Sequence, residues 1–515
     1  MVEAKFQRFW WLPAAVGFAA ILWVLPFWPA FVSPNEWPRV YQGLAVVHRG
    51  SLAVNEEVGE WGACEDLSSA EGKLYPNKAP GLLPLLLPAA GLAHVVAHGP
   101  GELRLAYLVG RILASGLPWL FASLLLAREL GRRWGEAGTL VAGTLVLATP
   151  WLPAGALLFS HALAGACLLA GLVLLSQHKS LLFAGLLLGW AAVSEYPTAL
   201  VGLFWLVISS WRGRWRVWPA WLGFAVPLAL LAVYNWVCFG SPFVLSSARE
   251  LYPQFSALSQ QGFFGIGWPR LSNFWLLLFS PQRGMLFWAP FLLLGLLPRK
   301  EPLCLEAWVG ALALLVLLSG YPNAHGGWFP GPRYLISVFP LLAVGAAGAL
   351  AFRWHLPWVR GVALVAFFLG LPAAWLPLFT FPFSPPEFPL APVTFHWPLL
   401  QAGTFMPTLV SRSLGLWLLG LLVTVAATWL VFFPSGTRLV PALALTVSAA
   451  VWFSAGSWSP ALSFRQKLEL AVVHDLYTGT PGESWLVRLQ REARSDQEQR
   501  LLYRFLHQPP PQGKE

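Results

Sequence analysis

The sequence predicts an all-α polytopic membrane protein with about thirteen transmembrane helices. Three observations carry that expectation. Of 515 residues, 57% are hydrophobic and only 11% charged, with a mean hydropathy of +0.61; soluble proteins carry about 25% charged residues. Apolar stretches close to the ~20 residues that cross a bilayer recur along the chain. Lys and Arg gather at alternate connections between them, as the positive-inside bias requires. A pI near 9.7 and a net charge of +10 are therefore supplied by cytoplasmic loops and do not imply nucleic acid. Cys64, Cys167, Cys238 and Cys304 stand singly, which excludes a disulfide framework and shows no metal-ligand spacing.

Taken in order, the spans read near residues 9–32, 104–127, 136–153, 156–176, 180–194, 197–211, 217–239, 273–297, 303–320, 334–352, 357–380, 411–433 and 438–457. Lys5 and Arg8 put the N-terminus inside, ahead of an uncleaved first span. Arg128, Arg132 and Arg133, then Lys179, then Arg212, Arg214 and Arg216, then Arg299 and Lys300, then Arg353 and Arg360, and finally Arg438 mark the later inside connections. The count depends on residues 81–98. With two prolines and 18 residues, that segment reads as an interfacial or re-entrant piece on the outer side rather than a span.

Residues 1–457 then form a transmembrane domain, and 458–515 an extra-cytoplasmic helical segment and tail. Outer regions fall at 33–103, 240–272 and 381–410, joined by a shorter loop at 320–333. The first, with juxtamembrane helices, opens SPNEWPRVYQGLAVVHRG. Asn35 is placed to cap a helix, and Val40, Tyr41, Leu44 and Val47 share an apolar side that suits a helix lying in the interface. Glu36 and Arg39, three apart, fall together on its opposite face. Downstream the loop runs CEDLSSAEGKLYPNKAPG, and Lys78 enters the apolar segment at the level of lipid phosphates.

In this order of parts, with an acid three before an arginine, a lysine–proline-like turn and a second span ending in clustered arginines, the chain resembles the C-type (GT-C) integral membrane glycosyltransferases, above all their aminoarabinose-transferase and protein-mannosyltransferase branch. The resemblance implies a GT-C-like fold in the bacterial inner (cell) membrane. It also implies a polyprenyl-phosphate-sugar donor and a lipid, glycan or protein acceptor, with membrane lipids around and no nucleic acid. The family typically pairs Asp with Glu where this chain has Asn35-Glu36, so the catalytic base falls to Glu36 or to Asp66. Lys78 matches the lysine that lies near the donor phosphate, although Ala79 interrupts the Lys-Pro pair.

Transfer expels a polyprenyl phosphate, so it needs a carboxylate for the acceptor proton and cations for the leaving phosphate. Arg39 and Lys78 are the first cations. Arg283, inside an otherwise apolar span where a charge costs at least ~2.5 kcal/mol, and Arg333, near His325 in a Gly-rich loop, are the next, with Arg270 and Arg111 weaker candidates. Glu195 lies between two apolar spans beside the outer ends that carry His161, and needs a cationic partner. A divalent cation can sit with a phosphate among such residues, but no spacing demands one and no cofactor is assigned. The rival readings are a lipid-linked oligosaccharide flippase or other transporter, and an O-antigen ligase or polymerase. Transporters place charges near the midplane within repeated halves, whereas here charges gather at the outer side and no repeat is evident.

Overall fold

The structure, a computed structural model, describes residues 10–25, 33–253, 256–257, 262, 265–297, 300–404, 439–457, 461–477, 483–493 and 495–505. It begins with α1 (Leu12–Val24), then α2 (Trp37–Arg49) and α3 (Asn55–Trp61). A two-stranded hairpin follows, β1 (Leu67–Ala70) and β2 (Lys73–Pro76). Next come α4 (Leu83–Val96), α5 (Pro100–Arg111) and α6 (Leu117–Leu147), then α7 (His161–Ser176), α8 (Leu181–Ser194), α9 (Thr198–Gly213) and α10 (Trp218–Phe239). After α11 (Leu271–Leu278) come α12 (Pro302–Ser319), α13 (Phe339–Ala351), α14 (Pro357–Phe379) and α15 (Leu439–Ser457). Three short helices, α16 (Phe464–Val472), α17 (Trp485–Glu492) and α18 (Asp496–Phe505), close the described chain.

Among the described residues, five helical runs are long and apolar enough to cross a bilayer: Pro100–Leu147, Trp218–Phe239, Pro302–Ser319, Arg333–Ala351 and Pro357–Phe379. The first is bent at Trp134 and Gly135, where Gly135 takes φ +52°. There a Cβ on Gly131 would lie 3.1 Å from Thr139 Oγ1, although eight residues span about 12 Å along a straight helix. The chain has turned back, as the separate expected spans 104–127 and 136–153 require. Helices α1, α7, α8 and α9 are apolar but shorter. On α10, Leu222, Val226, Leu230, Val233 and Val237 are exposed. Their spacing makes one continuous apolar stripe, a surface suited to lipid and not to water. The opposite side packs closely on α8, where a Cβ added to Gly185 would sit 1.9 Å from the Ala220 carbonyl; small residues permit such an approach in membrane bundles. One large core joins most of the helices, with smaller separate clusters in the C-terminal helices and around Tyr75. In the large core, the fully buried Trp119 and Trp151 both satisfy their indole N–H groups, on the Trp151 carbonyl at 2.7 Å and on Ser123 Oγ at 3.1 Å.

The structure corrects two expectations and adds one element. The span read at 273–297 is broken: α11 ends at Leu278, and a turn containing Arg283 precedes a short helix at Met285–Trp288 and a 3-10 segment at Pro290–Leu296. Besides its juxtamembrane helices the first loop holds a β-hairpin that no sequence signal assigned; its Glu71 and Gly72 both adopt positive φ (51° and 76°), the backbone twist that joins two antiparallel strands in two residues. Asn35 does not cap α2, whose N-cap is Glu36 without a side-chain bond. The span read at 411–433 lies outside the described residues. Helix α4, with Pro88 inside it, has 14 residues and is about 21 Å long, short of the ~30 Å hydrocarbon core.

Candidate functional site

The hairpin creates the first element of the site. Its register pairs Leu67 with Pro76, and the Asn77 N–H extends the ladder by donating to the Asp66 carbonyl at 3.1 Å. Asp66 and Lys78 therefore leave the open end together, with Lys78 Nζ 3.1 Å from Asp66 Oδ2. Asn77 Nδ2 donates to Glu250 Oε1 at 2.5 Å and to Asp66 Oδ1 at 3.4 Å. Ser246 Oγ donates to the Asn77 carbonyl at 2.9 Å, and Ser68 Oγ to the Ser246 carbonyl at 2.6 Å. Segment 246–251 thus braces the pair from behind. Burial pushes the Asp66 carboxyl up, but the charges of Lys78 and Arg333 outweigh it and hold the group below the usual carboxylate range. Asp66 is ionised at neutral pH and is 19% exposed.

A second strand of polar contacts meets it. Arg39 on α2 donates through Nη1 to the Leu158 carbonyl at 2.8 Å and through Nη2 to Ser160 Oγ at 3.2 Å. Its buried Nε has no partner among the described residues. Burial lowers the Arg39 guanidinium to about 10, against the pull of Glu195. The Ser160 hydroxyl donates to Glu195 Oε1, and His161 Nδ1 lies 3.1 Å from the same oxygen. Arg333 Nε donates to His161 Nε2 at 3.2 Å and Nη1 to the Gly326 carbonyl at 2.9 Å, with the guanidinium 4.5 Å from the Phe159 ring centre. Burial pushes the Glu195 carboxyl up, and His161, Ser160 and Arg39 overcome it to hold the group at about 2. Arg39, Ser160, Glu195, His161 and Arg333 therefore form one connected polar chain, and both arginines act electrostatically on Asp66.

A narrow cleft lies between α2, the Lys78 turn and the start of α4. Arg39, Gln42 and Lys78 supply its polar lining, and Pro80, Leu82, Leu83 and Leu86 its apolar lining. A phosphate bonded to a hydrocarbon chain has that same division: charge at one end and alkyl surface at the other.

Glu36 is placed differently from the sequence expectation. Instead of sharing a face with Arg39 as an ion pair, it turns inward and is fully buried. Arg111 Nη2 lies 2.9 Å from its Oε2, the Tyr107 hydroxyl donates to the same oxygen at 2.5 Å, and the Leu158 N–H donates to Oε1 at 2.6 Å. A carboxylate taken out of water must find such partners, and the arginine three residues away is itself committed to Leu158 and Ser160. Glu36 and Arg39 thus grip the same 158–160 segment from α2. Arg283 and His325 also serve backbone. The Arg283 guanidinium donates to the carbonyls of His325 (3.0 Å), Phe329 (2.8 Å), Gly327 (2.8 Å) and Ser384 (2.9 Å). His325 Nδ1 accepts the Gly327 N–H at 3.1 Å. The two shape the loop that delivers Arg333.

Asp66, Lys78, Arg39, Arg333 and Glu195 are therefore brought together, joined by His161. Sequence reasoning underweighted Arg111 and did not single out Tyr107, although their spacing of four places both on one helix face. Asn77, Ser246 and Glu250 gave no signal, since nothing local reveals that residues near 246 return to the hairpin.

No family model matches the sequence, and no curated protein matches it. Among solved structures, the chain is similar to ArnT from Cupriavidus metallidurans, determined bound to undecaprenyl phosphate, at 15% identity and a TM-score of 0.46 over 86% of this chain and 75% of that one. It is also similar to the Archaeoglobus fulgidus oligosaccharyltransferase in its apo form, at 13% identity and a TM-score of 0.41 over 99% of this chain and 61% of that one. The archaeal oligosaccharyltransferase AglB of that organism, in complex with an inhibitory peptide and a dolichol-phosphate, gives 13% identity and a TM-score of 0.38, with the same coverage.

Proposed function

We propose that the chain is a GT-C-type integral membrane glycosyltransferase that moves a sugar from a polyprenyl-phosphate-linked donor to a lipid, glycan or protein acceptor on the extra-cytoplasmic side. One observation carries the reading: an ionised, partly exposed carboxylate, Asp66, pairs with Lys78 in the field of Arg39 and Arg333, and Lys78 and Arg39 line a cleft with an apolar side. In this reading the cleft takes the lipid phosphate, with Lys78 and Arg39 of its lining toward the phosphate oxygens. The acceptor hydroxyl attacks the anomeric carbon, the bond to the phosphate oxygen breaks, and the acceptor proton passes to Asp66. Negative charge grows on the leaving phosphate, where cations held in place contribute most. Arrival of the phosphate draws the Lys78 ammonium from Asp66, so donor binding itself frees the base. Glu36 serves as the buried counter-charge of Arg111 that fixes the start of α2.

Purified protein in proteoliposomes, supplied with radiolabelled polyprenyl-phosphate sugars and an acceptor extract, tests this directly. Transfer is expected, and Asp66→Asn is expected to lower it by about 10²–10⁴-fold, the usual worth of a general base. Movement of the labelled lipid between leaflets without transfer, at equal rates in wild type and Asp66→Asn, would overturn the enzyme reading in favour of a flippase.

A further inference from the structure

A second polar cluster lies on the same helices, outside the site just described. His48 ends α2, His94 ends α4 and Glu102 opens α5. His48 Nε2 is 2.7 Å and His94 Nδ1 3.1 Å from the same oxygen, Glu102 Oε1. The two imidazole rings are 4.8 Å apart, and one donor atom from each residue lies within 4.8 Å of the others. We propose that these three residues bind a transition-metal dication, Zn²⁺ by preference.

The donor set selects the ion. Two imidazoles and one carboxylate suit Zn²⁺ and its first-row neighbours better than Mg²⁺ or Ca²⁺, which take oxygen ligands. Tetrahedral bonds of ~2.0–2.1 Å place donors about 3.3 Å apart, so the contacts to Glu102, now 2.7 and 3.1 Å, open slightly while the two imidazole donors, within 4.8 Å of each other, draw together. Glu102 is 9% exposed and fixes the anion, while His94, 53% exposed, leaves an entry path and a fourth position for water. Three separate helices send these groups to one point, a convergence that an incidental surface ion pair between chain neighbours does not show. His48 lies nine residues beyond Arg39, about 13 Å along α2, so the ion is too remote to touch a ligand of the Asp66–Lys78 cluster. Its effect is to tie α2, which carries Arg39, to α4 and to α5, which carries Tyr107 and Arg111. This site stands independently of the transferase reading.

The test uses tag-free full-length protein in nanodiscs. Metal content is measured as purified, then after chelator dialysis and titration with Zn²⁺ against a chromogenic competitor. Wild type is expected to hold one Zn²⁺ per chain and to melt at a higher temperature with it than without. Substitution of Co²⁺ is expected to give the visible absorption of a four-coordinate site. His94→Ala, a change at a half-exposed side chain, and Glu102→Gln are each expected to raise the dissociation constant by about 100-fold or more. The remote, exposed His355→Ala is expected to leave it unchanged. Absence of stoichiometric Zn²⁺ in wild type, or equal affinity in wild type, His94→Ala and Glu102→Gln, would overturn the proposal.

Discussion

Of the two candidate bases, Glu36 comes first from sequence and Asp66 second, and their surroundings reverse that order. Glu36 is enclosed by Arg111, Tyr107 and the Leu158 amide. Removing its charge leaves a buried guanidinium uncompensated, a change that typically costs about 3–5 kcal/mol. Glu36→Gln is therefore expected to lower the melting temperature and the yield of folded protein, with the remaining folded fraction active. Asp66→Asn, at a partly exposed ion pair, is expected to lose turnover with a much smaller fall in melting temperature. Thermal unfolding and turnover per folded molecule, measured on both variants, decide the matter: inactive Glu36→Gln with wild-type stability would return the base to Glu36. The pH dependence follows from the same contacts. The cations hold the Asp66 pKa down, so its contribution to stability is complete above the unfolded value near ~3.9 and is lost as pH falls through the native value. The acid limb of kcat/KM, which reports the free enzyme, is expected below the usual carboxylate range. Lys78→Gln removes the largest attractive charge and is expected to shift that limb to higher pH, besides weakening donor use more than acceptor use. A limb that stays in place, or an unchanged donor KM, would remove Lys78 from this role.

At the scale of elements, the site depends on where a short turn meets a helix end. The Ala79–Gly81 turn passes so close to α8 that a Cβ on Gly81 would lie 2.7 Å from the Ser194 nitrogen and Cα. The Gly81 carbonyl meanwhile accepts the Trp190 indole N–H at 3.2 Å. Gly81→Ala must push the turn away from backbone, and with it Lys78 from the end of α8 that presents Glu195. Overpacking of this kind costs about 1–3 kcal/mol. The variant is expected to fold less stably and to bind donor more weakly, whereas Gly72→Asn, at the solvent tip of the hairpin with φ +76°, is expected to change neither. Equal donor KM in the two variants would show that the turn does not position the lysine. These elements also mark how far the sequence could be read. The apolar runs were legible because lipid imposes a composition on every exposed face, as on α10. Lys78 and Arg39 were legible as charges on a loop at the membrane edge. The hairpin was missed because its strands are four residues each and its Glu71-Gly72 turn is short. Its consequence, the adjacency of Asp66 and Lys78, comes from register, which composition does not carry. The inward turn of Glu36 was hidden for another reason: local periodicity assigns a face to a side chain, but its partner Arg111 lies 75 residues on.

At the scale of the whole molecule, Arg283 shows how a charge in an apolar segment can organise distant parts of a membrane protein. Its cost in lipid surroundings was read as a sign of a ligand, and the structure resolves it through backbone. The helix breaks after Leu278, and the freed guanidinium gathers carbonyls from 325–329 and from Ser384. Carbonyls in such irregular, buried loops need donors where water is excluded, and one planar arginine supplies four bonds at fixed angles. The loop so held ends at Arg333, whose contact with His161 completes the polar chain to Arg39. Lysine has a single nitrogen with three donors and cannot reach the same carbonyls in that geometry. Loss of even two hydrogen bonds to a charged group, each worth about 1.5–3 kcal/mol, is expected to destabilise Arg283→Lys severely while preserving its charge. If Arg283 were instead a phosphate ligand, the lysine variant would keep its melting temperature and lose donor affinity. Melting curves and donor KM for Arg283→Lys, set beside Lys78→Ala, therefore distinguish an internal tie from a binding group, with lowered melting temperature and near-normal KM expected for the first.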